Sequence, residues 1–348
     1  MRFIKKSFNQ GIRPILAHRT FRVLHRVYTG IGSCLLYHRV TNESKVPVSQ
    51  NPSINITLPV TEFEQQIAYI SKHHNCVALP EAVERLSEGT LSTGTIVVTF
   101  DDGYRDNLLQ ALPVLERHGV PATIFVTTGL IDGTCVPWWY EQEALLKMFD
   151  SLEVSWKGRS LAWKLETPAQ KFAAIRELNS LFREMNIDDQ KAFMERIRKH
   201  CPSKFTFESE FLSWDELIKL DRHPLITIGA HTKNHAVLSR STPLELCEEL
   251  AGGKEILKKR LGHSVDHLAY PFGGSSEVGP REFEAAREAG FRSAFTTRFG
   301  HLHTKHRKFL HSLPRIIIDY GDTISRFKQK LAGIDSMIRY RGKRVVVN

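Results

Sequence analysis

The stretch "TIVVTFDDGYRDN", residues 95–107, is a run of apolar and β-branched residues that ends abruptly in Asp101 and Asp102, followed by a glycine. A short continuous apolar run bounded by a turn residue is the pattern of a strand buried on both faces. Similar runs recur as "SCLLYH" (33–38), "ATIFVTTG" (122–129), "LITIGAHT" (225–232), "HLAYPFGG" (267–274) and "RSAFTT" (292–297). Amphipathic helical patterns lie between several of them, as in "EFEQQIAYISKHH", "NLLQALPVLERHG" and "GPREFEAAREAG". Strands that alternate with helices predict an α/β fold built on a parallel sheet. In such folds ligands gather at the carboxyl ends of the strands, and His38, Asp101, Asp102, His231 and His235 all fall there.

Outward from these runs the organisation is uneven. Thr242, Pro243 and Glu245 form a capping box that starts a helix with Leu246, Leu250, Leu257 and Leu261 on one face. Residues 133–222 break the alternation and predict a mostly helical insertion between two strands. Its start, "CVPWWYEQEALL", sets Trp138 beside Trp139, either to anchor the insertion on the core or to offer a sugar a stacking surface.

At 348 residues, with 41% hydrophobic and 25% charged residues, the chain can bury a large core and shows no low-complexity tract. The net charge of +10 is concentrated at the ends: residues 1–42 hold eight Lys or Arg and no Asp or Glu. Arg13, His18, Arg19 and Arg22 interrupt any apolar leader, and no run is long enough to span a membrane. Five scattered cysteines without a CxxC argue against a disulfide framework or a thiolate zinc site. A cytoplasmic protein is the expectation. No nucleic-acid reading module is recognisable, so specific nucleic-acid binding is not expected.

His231 and His235 lie four residues apart, a spacing that lets two imidazoles hold one metal ion, and a carboxylate completes a set of three. Two histidines and one carboxylate leave coordination positions open, as catalytic sites require. The adjacency of Asp101 and Asp102 then has a reason. A cation relieves their repulsion, and one carboxylate can bind metal while the other moves a proton.

"TFDDGYRDN", "HTKNH", "YPFGG" and "LLYHRV" together resemble the polysaccharide deacetylases of the NodB type, the fourth carbohydrate esterase family. The closer likeness is to the branch with an N-terminal YHxV-like motif. The resemblance runs from about residue 33 to about 320, between a basic arm (1–32) and a basic tail (321–348). It implies a distorted (β/α) barrel, seven-stranded in most relatives, that removes the acetyl group from an N-acetylated amino sugar in a polysaccharide or its lipid-linked precursor. It further implies Asp101 as general base, and Asp102, His231 and His235 as ligands of a divalent metal, zinc foremost. His38 would be the general acid and the backbone N–H near Phe272 a donor to the oxyanion. Tyr270, Trp138 and Trp139 would line the substrate. Many relatives carry an arginine that orients the base where this chain has Ala269; Arg315 in "LPRIII" is the candidate replacement. His301 and His311 stay open as alternative acids.

The rival reading is a barrel that binds carbohydrate after losing its chemistry, which the intact Asp pair and HxxxH oppose. The termini carry a separate expectation. Ile324, Phe327, Leu331, Ile334 and Ile338 form an apolar stripe among cations, and the N-terminal arm mixes Leu16, Phe21 and Leu24 with arginines. Such stripes either cap the barrel or rest on an anionic membrane face.

Overall fold

The computed structural model describes residues 28–42, 55–200, 205–339 and 345–347. Its centre is a closed barrel of seven parallel strands: β1 (Gly32–Tyr37), β2 (Thr95–Phe100), β3 (Ala122–Val126), β4 (Ile226–Ala230), β5 (His267–Ala269), β6 (Ser293–Phe299) and β7 (Leu313–Ile317). Each strand pairs with the next in the chain, and β1 closes the ring by pairing with both β2 and β7. The order is that of a singly wound distorted (β/α) barrel. Register is continuous along β1 and β2, from Gly32 opposite Thr95 to Tyr37 opposite Phe100, and shifts within β6 between Phe295 and Phe299.

Alternate residues of the strands serve two cores. Leu35, Val98, Ile124 and Ala294 face outward into a cluster with the helix residues Phe63, Ile67, Leu115, Leu217 and Leu257. Cys34, Val97, Phe125, Phe295 and Leu313 belong to a second cluster, which Leu79, Val83 and Leu86 complete from the helix Leu79–Glu88 at the amino ends of the strands. One end is thereby plugged, and the carboxyl ends are left for chemistry.

The seventh strand, Leu313–Ile317, is absent from the sequence-derived set of strands. Pro314 sits inside it and Arg315 at its middle, both poor signals for a buried strand. In the "NLLQALPVLERHG" segment the helix begins with a π-turn, Asn107–Ala111, before Leu112–His118. Pro113 has no N–H and crowds the carbonyl four residues back, and the wider turn accommodates both effects.

The insertion has a core of its own, in which Trp138, Leu146, Val154, Ile175, Phe182 and Phe193 are buried together. Besides the expected helices it contains an antiparallel hairpin, Ser151–Trp156 with Arg159–Lys164. Lys157 and Gly158 turn it, both at positive φ, as a two-residue hairpin turn requires. The helix Trp214–Asp221, inside the span expected for the insertion, packs its Leu217 and Leu220 into the barrel core.

The C-terminal stripe is divided by Gly333 into the helices Ile324–Leu331 and Ile334–Arg339. Phe327 and Leu331 are buried against the barrel, and Ile338 is half exposed. Residues 1–27, which carry Leu16, Phe21, Leu24 and most of the arm's cations, lie outside the described residues. Among the described residues no helix is long and apolar enough to cross a membrane. Cys34, Cys76, Cys135 and Cys247 are free thiols, and Cys201 is outside the described residues.

Candidate active site

Six polar side chains come together here: His38, Asp101, Asp102, His231 and His235 at or just past the ends of β1, β2 and β4, and Arg315 from within β7. Asp101 and Asp102 follow β2 directly, and Asp102 adopts a φ of +74°. The next residue must be glycine for two reasons: its φ is +79°, and a Cβ there would lie 2.9 Å from Val126 Cγ1. This bend turns the two adjacent carboxylates toward different partners.

Asp102 Oδ1 lies 3.2 Å from Nε2 of both His231 and His235. Neither contact has hydrogen-bond direction, and Oδ1 has no hydrogen-bond donor among the described residues. One ligand atom from each of the three residues falls within 4.8 Å of the others, and all three residues are buried. His231 Nδ1 meets the Ala269 carbonyl at 2.8 Å, which assigns the proton to Nδ1 and aims the Nε2 lone pair at Asp102. Two imidazole nitrogens and a carboxylate oxygen, buried and converging on a common point, fit a divalent cation.

Burial raises the Asp102 carboxyl, but the two imidazoles and then His38 outweigh it and hold the group well below the usual carboxylate range. Burial lowers His231, but the charges of Asp101 and Asp102 more than restore it, whereas for His235 burial prevails and the ring is held neutral more firmly than usual.

Asp101 is paired elsewhere. Arg315 Nη1 and Nη2 donate to its two oxygens at 2.7 Å each, a bidentate pair buried on both sides. Arg315 Nε is held by the Thr296 carbonyl at 3.0 Å, and the guanidinium packs beside Phe125. Burial pushes the Asp101 carboxyl up; Arg315 chiefly, with His231 and His38, overcomes that and keeps it ionised. The guanidinium thus reaches the Asp101 carboxylate from β7.

His38 stands at the end of β1, near enough for its charge to act on both carboxylates. His301 and His311 are elsewhere. His301 Nδ1 is bonded to Ser33 at the start of β1, five residues and roughly 16 Å along the strand from His38. His311 Nε2 meets the Phe291 carbonyl just before β6.

The loop carrying the two histidines is strained and tightly bound. Of the five non-glycine residues at positive φ among the described residues, four are Asp102, Thr232, His235 and Phe272. Each such residue costs on the order of 1–3 kcal/mol unless its surroundings over-determine it. They do so here: Thr232 Oγ1 accepts from the His235 N–H at 3.1 Å, and Glu249 binds both the Asn234 N–H and its side-chain amide at 2.9 and 2.8 Å. Glu249 sits on a π-turn, Glu248–Gly252, in the helix that the Thr242 capping box begins.

The remaining candidates separate. Phe272 packs its ring 4.9 Å from His235, and among the described residues no group accepts from its N–H. Trp139 is half-buried at 5.0 Å from the His235 ring, and its indole N–H has no acceptor among the described residues. Trp138 is buried in the insertion core. Tyr270 is fully buried, with its hydroxyl spent on the His311 carbonyl at 2.9 Å, so it has no surface to offer a sugar.

Over this geometry, the polysaccharide deacetylase family model matches residues 88–294. The chain belongs to the polysaccharide deacetylase family. The YxkH protein of Bacillus subtilis, assigned as a polysaccharide deacetylase, is 20% identical over 74% of the chain, and the chain spans just under two thirds, 66%, of that relative. Among solved structures, the Streptococcus pyogenes deacetylase PplD in complex with acetate is similar at a TM-score of 0.57 and 18% identity, over 86% of this chain and 97% of that one. IcaB from Ammonifex degensii is similar at 0.54 and 20%, over 87% and 97%. These likenesses establish the barrel. Glu249 gave no sequence signal, since it looks like any helix-surface glutamate; Arg39 and Asp106 lie within the "LLYHRV" and "TFDDGYRDN" motifs, where nothing in the sequence marks them apart from ordinary loop charges.

Proposed function

We propose that the chain hydrolyses the N-acetyl group of an N-acetylated amino sugar, in a polysaccharide or its lipid-linked precursor, in a metal-dependent reaction. The observation that carries this reading is the division between neighbouring carboxylates: Asp102 faces two imidazoles, while Asp101 is gripped by a buried arginine. A binding protein has no need to keep both.

Asp102, His231 and His235 would hold the metal, zinc by expectation, which supplies Lewis acidity to the acetamide carbonyl and makes water more acidic. Asp101, kept ionised and oriented by Arg315, takes a proton from the attacking water as its oxygen bonds to the carbonyl carbon. The Phe272 N–H is free to donate to the oxygen that becomes negative, an interaction worth about 3–4 kcal/mol for a well-placed donor. His38 gives a proton to the nitrogen as the carbon–nitrogen bond breaks, worth ~10²–10⁴-fold. Acetate and a free amino sugar result. Trp139, with an unpaired indole N–H, is the stacking candidate for the sugar ring. Any contact of the termini with an anionic membrane at the cytoplasmic face would rest mainly on the N-terminal arm, since the C-terminal stripe is largely spent on the barrel.

The test is acetate release from N-acetylated chitooligosaccharides, with elemental analysis of the same samples. Wild type should carry one divalent metal per chain and release acetate; His231→Ala should lose both. Asp101→Asn should keep the metal and lose turnover. Saccharide binding without acetate release by the metal-loaded wild type would establish the non-catalytic barrel instead.

A further inference from the structure

His38 raises a problem of aim. Its Nδ1 is buried without a hydrogen-bond partner among the described residues, so that nitrogen does nothing to fix the ring. A proton donor left to its own rotation would lose much of its advantage, because misplacement by about 1 Å can cost ~10²-fold. The backbone around it is fixed instead. Asn107 Nδ2 donates to the His38 carbonyl at 2.8 Å, and the Val40 N–H donates to Asp106 Oδ1 at 3.1 Å. Arg39 Nε donates to the other oxygen of the same carboxylate at 2.8 Å.

Arg39 also reaches beyond that loop. Its Nη1 donates to the Tyr140 hydroxyl at 2.9 Å, and its Nη2 lies 2.7 Å from Glu210. The guanidinium carbon stands 5.1 and 5.8 Å from the ring centroids of Tyr104 and Tyr140. Tyr104 follows the Asp pair by two residues, and Tyr140 adjoins Trp139, whose ring packs on His235. One largely buried guanidinium therefore joins the loop of the acid, the end of the carboxylate motif and the first helix of the insertion. A surface ion pair would not need four partners from three segments.

We propose that Arg39 and Asp106 are positioning residues that aim His38 at the departing nitrogen and hold its loop in register with the insertion. The proposal rests on the reading of His38 as general acid. It concerns a single step, and that step can be isolated by the leaving group. An amine is too basic to depart without a proton, whereas an aryl oxide departs unprotonated, so an aryl acetate ester bypasses the acid but uses the rest of the site.

The experiment compares metal-loaded wild type, His38→Ala, Arg39→Ala, the near-isosteric Asp106→Asn and the double variant His38→Ala/Arg39→Ala on an N-acetylated chitooligosaccharide and on 4-nitrophenyl acetate. In Arg39→Ala and Asp106→Asn the ester-to-amide ratio of kcat should rise by ~100-fold with metal content retained. Within the His38→Ala background, Arg39→Ala should change that ratio no further, since residues acting as one unit are not additive. Equal losses on both substrates, or no loss on the amide, would overturn the positioning role while a raised ratio in His38→Ala upheld the acid. If His38→Ala itself leaves the ratio unmoved, the acid assignment fails and takes the proposal with it.

Discussion

Arg315 and Asp101 are two full charges placed where water is excluded, a pairing that is sound only while both members are present. Removing one partner of a buried pair leaves an uncompensated charge, at a cost of about 3–5 kcal/mol. Arg315→Met should therefore lower stability by that amount, read from denaturant midpoints, and abolish turnover, while metal content stays near wild type because no ligand is touched. Arg315→Lys should recover part of the stability and little of the activity, since an ammonium cannot grip two carboxylate oxygens at once. Equal activity in the lysine and wild-type proteins would show that charge suffices and that the bidentate geometry is incidental. The guanidinium is supplied from β7, and the backbone carbonyl of Ala269 pairs with His231 Nδ1.

At the scale of elements, the histidine loop depends on a helix it merely touches. Glu249 holds Asn234 by two hydrogen bonds and, through its backbone carbonyl, the Lys233 N–H at 3.0 Å. Groups that hold metal ligands in place typically govern ~10–100-fold in affinity. Glu249→Ala should weaken metal binding within that range, measured by competition with a chelator, with secondary structure unchanged. Undiminished affinity would mean that the Thr232 hydroxyl and the β4 end suffice. How legible these elements were follows from what carries their signal. Six barrel strands and the capping box at Thr242 were readable because apolar runs and cap residues are local features. The seventh strand was not, because Pro314 and Arg315 contradict strand propensity and only the pairing partners β1 and β6 overrule them. The hairpin at 151–164 was readable in principle, since Leu152, Val154 and Trp156 alternate up to a Lys–Gly turn, but the helical segments around it masked the period of two. The ligand set and the Asp pair stood at strand ends and were visible. Of their supports, Arg315 was legible only through the family resemblance, since it lies more than two hundred residues from Asp101 and distance in the chain carries no signal of contact, and Glu249 was not legible at all.

Across the whole molecule, the plugged end of the barrel sets the response to acid. His267, at the start of β5, is bonded to Ser293 at 2.9 Å, and burial lowers its pKa from 6.5 to about 4. His306, in the short helix Thr304–Lys308 near the same end, is likewise lowered to about 4 by burial, with His303 adding to the effect. Both rings are neutral in the folded chain and take up protons on unfolding once the pH is below the unfolded value. Their contribution is thus fully present above pH ~6.5, declines as the pH falls toward ~4, and changes no further below that. A displacement of this size corresponds to on the order of 3 kcal/mol for each ring, a large share of a net stability of roughly 5–15 kcal/mol. Between pH 6.5 and 5, where carboxylates are still largely ionised, unfolding free energy should fall by up to ~2.7 kcal/mol per pH unit from these two groups. His267→Asn preserves a polar group opposite Ser293 but cannot titrate, so it should halve their part of the slope. Because parent and variant share every metal ligand, the difference between their slopes cancels any loss of metal in acid. Identical slopes over that interval would mean that His267 is protonated in the folded barrel as readily as in the unfolded chain.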